Sequence, residues 1–267
     1  MTPEELHNIR RTEAEFWWYR GMRDIMAAFL DQVPAQTIRR ALDAGCGTGF
    51  NALAWEQRYR FPIYGVDIAR LAIQYCREQG FIRCVNGSVL DIPFADDSFD
   101  LVATLDVLSH VPEGTAQKAL QEFARVLRPG RWLLIRVPAF RALRSQHSVF
   151  IAETHRYVAG EMKSMLKAAG FTVARWSYAN TFLSPVAFAK FRIWEKLSRS
   201  LPHSGVEEIP PPGLNRVLFS VLKMEAALIR SGFRLPFGQS LIVLARKNVS
   251  ASRVPNKLGL ETEPAQC

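Results

Sequence analysis

Ala41-Leu-Asp-Ala-Gly-Cys-Gly-Thr-Gly-Phe50 sets three glycines at alternate positions between a short apolar run and a helical pattern. The stretch reads as a strand, a tight turn and a helix start. Gly45, Gly47 and Gly49 reach backbone angles closed to other residues and leave no side chain between the main chain and a ligand. A dinucleotide fingerprint places its third glycine three residues after its second, and here that place is Phe50, so the loop is G-x-G-x-G instead.

Working outward, Phe61-Pro-Ile-Tyr-Gly-Val-Asp67 is a second apolar strand ending in a carboxylate, 20 residues after Gly47. A doubly wound fold presents an acid to ribose hydroxyls at that point. Ile82-Arg-Cys-Val-Asn86 reads as a third strand and leads to Asp91, which can accept a hydrogen bond from an adenine amino group. Phe99 to Asp106 is a fourth strand, Thr115 to Leu127 a helix, and Arg128 to Val137 a fifth strand.

These residues resemble the class I S-adenosylmethionine-dependent methyltransferases, in particular the subgroup of ubiquinone and menaquinone methyltransferases. The likeness spans residues 38 to 180 and returns in Ser240 to Arg246. The family loop L-D-x-G-C-G-x-G is matched by Leu42-Asp-Ala-Gly-Cys-Gly-Thr-Gly49. The resemblance implies a doubly wound, Rossmann-like α/β fold with a seven-stranded, mostly parallel sheet. It also implies S-adenosylmethionine as cofactor and S-adenosylhomocysteine as product. The implied cofactor contacts are Asp43, Gly45, Cys46, Gly47, Gly49, Asp67 and Ile68 for the first two strands, then Asp91, Ile92 and Asp106. Ser109-His110 departs from the Glu-His common among relatives.

The segment before the loop, Glu13-Ala-Glu-Phe-Trp-Trp-Tyr-Arg-Gly-Met-Arg-Asp-Ile-Met26, gathers four aromatics beside Arg20 and Arg23. Relatives open with a similar helix folded over the cofactor, so the resemblance implies a lid, with Tyr19 and Arg20 at the site. An aromatic face excludes water from a sulfonium, and an arginine pairs with a carboxylate. The same aromatics would equally anchor an N-terminal helix to the core. Past the fifth strand, Pro138 to Val158 is a polar stretch holding His147 and His155. Histidine is the usual general base near neutral pH, and methylating a hydroxyl benefits from proton removal. Both are candidate catalytic residues, with His110 a third; loop-tethering histidines are the plain alternative.

Composition fits one catalytic domain with an elaboration. The 267 residues are 48% hydrophobic, and Cys46, Cys76, Cys84 and Cys267 show neither paired nor C-x-x-C spacing. That usage suits a reducing compartment and disfavours a metal site. Met1 to Arg11 lacks an apolar core, and no uncharged run reaches membrane-spanning length, so cytoplasmic residence is expected. Residues 138 to 238 carry 14 Lys and Arg against 6 Glu, nearly the whole net charge of +9. An anionic substrate group or an anionic membrane surface would suit this surplus, whereas no nucleic-acid-binding module or dense basic run is present.

About 60 residues separate the last two strands, Phe171 to Tyr178 and Gln239 to Arg246. Ser184-Pro185 reads as an N-cap and first turn of a helix reaching Arg199. A second helix from Leu214 to Ser231 is apolar nearly all round, which demands burial against protein, lipid-like substrate or membrane. The expected organisation is a helical lid over 1–30, a methyltransferase domain over 31–180 and 239–247, a helical insertion over 181–238 and a disordered tail over 248–267. The expected activity is methyl transfer to a small-molecule or amphiphilic acceptor, with a hydroxyl as the methylated group. The alternative is a cofactor-binding scaffold without turnover.

Overall fold

The computed structural model describes residues 2–190 and 201–249. Two helices, α1 (Pro3–Thr12) and α2 (Trp17–Leu30), precede the alternating part of the chain. There β1 (Ala41–Ala44), α3 (Phe50–Tyr59), β2 (Ile63–Asp67), α4 (Arg70–Glu78), β3 (Cys84–Asn86), β4 (Phe99–Leu105), α5 (Ala116–Val126) and β5 (Leu127–Pro138) follow in order. A short helix α6 (Gln146–Phe150), then α7 (Ala159–Ala168) and β6 (Phe171–Ala179), lead to α8 (Ser184–Ala189), α9 (Pro212–Arg230) and β7 (Ser240–Lys247).

The strands form one seven-stranded sheet in the order β3-β2-β1-β4-β5-β7-β6. β7 runs antiparallel between β5 and β6, and the remaining neighbours are parallel. This is the mostly parallel doubly wound arrangement expected from the sequence. The strand order reverses between β1 and β4, and in such sheets the crevice beyond the carboxyl ends at that reversal is where ligands lodge. The pairing of β6 with β7 survives the long insertion, because their register from Phe171↔Lys247 to Ala179↔Ser240 is fixed by the sheet and not by a tight turn.

Each face of the sheet carries its own core. Phe123 of α5 and Met162 and Leu166 of α7 are buried on one face. On the other, Met22, Ile25, Met26 and Phe29 of α2 pack with Leu222, Ala226 and Ile229 of α9. The two helices approach so closely that a Cβ at Gly21 would run into Leu222. From Met22 onward α2 is therefore part of the core, while α1 lies over the crevice, with Glu5, Leu6, Ile9 and Glu13 facing it.

The insertion departs in detail from its expected form. Ser184 is not the N-cap of α8: its hydroxyl donates to the Asn180 carbonyl at 2.6 Å, and Leu183 holds the cap position. Residues 191–200, on which the rest of that expected helix falls, lie outside the described residues, as do residues 250–267 of the expected tail. α9 begins at Pro212, and its apolar residues are not all buried. One stripe packs on α2, whereas Leu214, Val217 and Met224 are at least half exposed. No helix among the described residues is long and apolar enough to cross a membrane.

Candidate active site

β1 ends in the glycine loop, where Gly45, Gly47 and Gly49 all have positive φ (88°, 54° and 84°). At Gly47 the space beside the main chain is open, with nothing within 4 Å of where a Cβ would stand. The Gly47 amide donates to Asp67 Oδ2 at 2.9 Å, and Ala69 N–H donates to Oδ1 at 2.9 Å. Burial raises the Asp67 carboxyl and these backbone donors oppose the rise. Asn86 donates to the carbonyls of Asp67 and Ile68, both at 2.9 Å, which fixes the turn after β2. Ile68 is left 75% exposed, an apolar side chain at an open rim. Asp91 is exposed on the neighbouring loop and Ile92 beneath it is buried.

Beside the loop lies a cavity of about 530 Å³ bounded by the ends of β1, β4 and β5, by α1, and by the insertion. Asp43, Gly45, Cys46, Gly47 and Asp106 line it, whereas Asp67, Ile68, Asp91 and Ile92 lie outside, on the open side of the loop. The expected contact set is thus split in two by the glycine loop. Asp43 is buried, and desolvation together with the nearby charge of Asp67 pushes its carboxyl up to about 8, opposed only by Arg136. Cys46 is buried with its sulfur 3.8 Å from Cys76 Sγ, and that contact, with burial, raises its thiol well above the ordinary range.

The N-terminal helices close the cavity by specific bonds. Glu13 accepts from Thr48 Oγ1 at 2.6 Å and from Gln79 at 3.2 Å, so the turn between α1 and α2 is bolted to the glycine loop and to the end of α4. Phe16, Trp17, Trp18 and Tyr19 all face the cavity. Arg20 does not; its guanidinium lies over the Phe219 ring of α9, 4.1 Å from the centroid. The cations that line the cavity instead are Arg23 and Arg136. Arg23 donates to the Glu13 carbonyl at 2.9 Å and covers Phe50. Arg136 is ion-paired with Asp106 at 2.7 Å and lies over Trp18. Arg136 carries a signal in the sequence, a cation inside the apolar strand Trp132-Leu-Leu-Ile-Arg-Val137.

Two non-glycine residues with positive φ, Asp106 (60°) and Asn180 (58°), line the same cavity. Such backbone costs about 1–3 kcal/mol each and gathers where function demands a particular placement. The three expected histidines separate. His110 is half-buried at the cavity wall, bonded to the backbone of Ala152, with Nδ1 buried and without a partner; desolvation lowers it to about 4. His147 also lines the cavity, accepting at Nδ1 from Gly205 N–H at 3.0 Å, and burial lowers it to about 4 as well. His155 lies elsewhere, paired with Glu161 at 2.7 Å and packed edge-on against Tyr157. Ser109 donates to the Asp106 carbonyl at 2.7 Å and shapes the turn after β4.

A glycine loop, an acid at the end of β2 and a closed chamber beside them coincide with a family match: residues 42–135 fit the model of the methyltransferase domain. That match covers about a third of the chain, which is thereby similar to the class I, S-adenosylmethionine-dependent methyltransferases. S-adenosylmethionine is the methyl donor that this family implies. The O-methyltransferase resE of Aspergillus sclerotiorum is 29% identical over 160 residues, covering 54% of this chain and 59% of that protein. An uncharacterised methyltransferase of Bacillus subtilis, YcgJ, is 36% identical over 103 residues, 36% of this chain and 40% of the relative. Both matches span less than two thirds of the relative. Among solved structures, a sarcosine dimethylglycine methyltransferase from Galdieria sulphuraria, titled as putative, shares the fold at TM-score 0.57 and 22% identity, with 85% of each chain covered. The domain match ends at Ile135, so α6, α8 and α9, which contribute His147, Val186 and Leu218 to the cavity wall, lie beyond it.

Proposed function

We propose that this chain transfers a methyl group from S-adenosylmethionine to a hydroxyl of a small-molecule or lipid-like acceptor. The observation that carries this reading is continuity: one chamber runs from the glycine loop, past buried Asp43 and Arg136, to the unpartnered Nδ1 of His110. O-methyltransferase relatives at about 30% identity support the class of reaction and leave the acceptor open.

The residues fit the donor at both ends. Asp67 would take the ribose hydroxyls, Ile68 would pack on the base, and Asp91 would accept from its amino group. The amides of the loop, Asp43 and Arg136 would hold the amino-acid end, because a buried carboxylate raised to about 8 favours a cationic neighbour. When bound, the cofactor supplies a methyl carbon on a positively charged sulfur, open to in-line displacement. The chain's own share is placement and dryness. Trp17, Trp18 and Tyr19 exclude water and turn aromatic faces toward a cation. His110, neutral above about pH 4, is the base we assign to the acceptor hydroxyl, and its free Nδ1 supports that role.

Calorimetric titration with S-adenosylhomocysteine and with NADH tests the cofactor. Binding of the first and not the second is expected, and the reverse would make the chain a dehydrogenase. A scaffold without turnover rests on Ser109 alone, where relatives carry Glu. Transfer of labelled methyl to any hydroxylated acceptor, against binding without transfer, separates that reading from catalysis.

A further inference from the structure

The far end of the cavity has a chemistry of its own, which the methyl-transfer reading does not use. Glu5 sits on α1 eight residues before Glu13, so at 1.5 Å per residue it lies about 12 Å along the helix from the point bolted to the glycine loop. Its side chain is buried, the residue being 2% exposed, and it lines the cavity. Its Oε2 is buried and without a hydrogen-bond partner.

The groups around it do not neutralise it. From α6, His147 Nε2 stands 3.9 Å from Glu5 Oε1, but burial keeps that imidazole neutral near pH 7. Ser204, from the loop after residue 200, and Asn8, on α1 itself, hydrogen-bond to the carboxyl and oppose its rise, while Glu207 and Glu4 add negative charge; none of the four is a cation. Among the described residues no Lys or Arg forms an ion pair with Glu5. Arg11 stands nearby, but its guanidinium donates to the Asn8 side chain at 3.2 Å and to the Glu207 carbonyl at 2.7 Å. A buried carboxylate without a cation is costly, and burial accordingly raises Glu5 above the ordinary carboxylate range. Tyr19 lines the same cavity, close enough for the charge of Glu5 to act on its hydroxyl, so the cavity offers an aromatic ring as well as the acid. Ile9, Ile151 and Val206 supply apolar walls.

A carboxylate oxygen in need of a donor, an aromatic neighbour and greasy walls make a site for an ammonium group on an apolar body. Resting on the methyltransferase reading above, we propose that the acceptor is an amine-bearing hydrophobic molecule whose ammonium group is held by Glu5 at the roof of the cavity. The amine anchors at Glu5, and the methylated hydroxyl lies toward His110. Specificity is then set by α1 and the loop at 203–207, both outside the family match.

The experiment uses the full chain saturated with S-adenosylhomocysteine and two probes of equal shape, n-hexylamine and 1-hexanol, titrated at neutral pH. The wild type should bind the amine about tenfold more tightly, and Glu5→Gln should bring the two to within about threefold while the affinity for S-adenosylhomocysteine holds. Equal binding of the two probes by the wild type overturns the proposal, as does an undiminished amine preference in Glu5→Gln. If Glu5→Gln does not fold, Glu5→Asp, which keeps the charge but withdraws it by one methylene, should lower the preference; no change there overturns it too. Failure of the wild type to bind S-adenosylhomocysteine is a separate outcome, which removes the methyltransferase reading and the proposal with it.

Discussion

Thr48 in the glycine loop donates a 2.6 Å hydrogen bond to the carboxylate of Glu13, so the segment ahead of the sheet is fastened to the loop that opens the cavity. Both partners are buried, at 3% and 6% exposure. Burial raises the Glu13 carboxyl, and the bonds from Thr48 and Gln79 oppose that rise. The bond therefore couples two events, the seating of α1 and α2 and the shape of the loop.

Thr48→Val keeps the shape and leaves Glu13 one donor short. The expected cost is about 1–3 kcal/mol of stability, the penalty for a buried acceptor left unpaired. S-adenosylhomocysteine should also bind more weakly, since the loop loses its brace. Thermal melts and calorimetry of the variant check both; unchanged values would show that the bond carries no coupling.

Asp43 connects stability to pH with a definite sign. Its folded carboxyl titrates at about 8 against 3.8 for the free group, so the folded chain holds a proton that the unfolded chain has released. Stability from this group is present below about pH 4 and is lost as pH rises toward 8. Asp43→Asn removes the penalty. The variant's melting temperature should exceed that of the wild type at pH 8, with the gap closing as pH falls to 4, while its cofactor affinity drops. A gap that does not depend on pH would show that Asp43 is not the titrating group.

The histidines should part company in kinetics. His110→Ala is expected to lower turnover by about 10² to 10⁴ with cofactor affinity kept, and His155→Ala to leave turnover unchanged. Because burial holds His110 neutral down to about pH 4, its protonation should not limit the rate between about pH 5 and 8. Stopped assays of both variants over that range are the check. Equal losses in the two would mean that position in the cavity is irrelevant.

Gly21 sets the spacing of α2 and α9. Gly21→Ala pushes a methyl group into Leu222, and overpacking of a tight core costs about 1–3 kcal/mol. Leu222→Ala in the same chain opens the space again, so the pair of changes should cost less than the sum of the singles. Denaturant melts of the three variants measure the coupling, and strict additivity would place the contact elsewhere.

The division between sequence and tertiary structure follows from the range of the forces involved. Local signals determined β1 to β5, the turn at Gly45 to Gly49 and the carboxylate at the end of β2, because strand alternation, glycine geometry and short βα connections act within a few residues. They also marked α9 and the start of α8. Which side of a helix meets the cavity was not local. Arg20 and Arg23 sit in one aromatic-rich run, three residues apart; α9 takes the face that carries Arg20, and Arg23 is left to the site. The same reason separates His147 from His155, one turned in beneath α1 and the other out toward Glu161. Glu5 and Glu13 gave no signal in sequence, for an acidic residue on an N-terminal helix reads as solvated until the packing of α1 over the cavity buries it. The sequence by itself determined the sheet, the glycine loop and the likeness to the methyltransferase domain. Only the tertiary structure decided which charges lie inside, since burial and the distances that tune a buried charge are set by elements far apart in the chain.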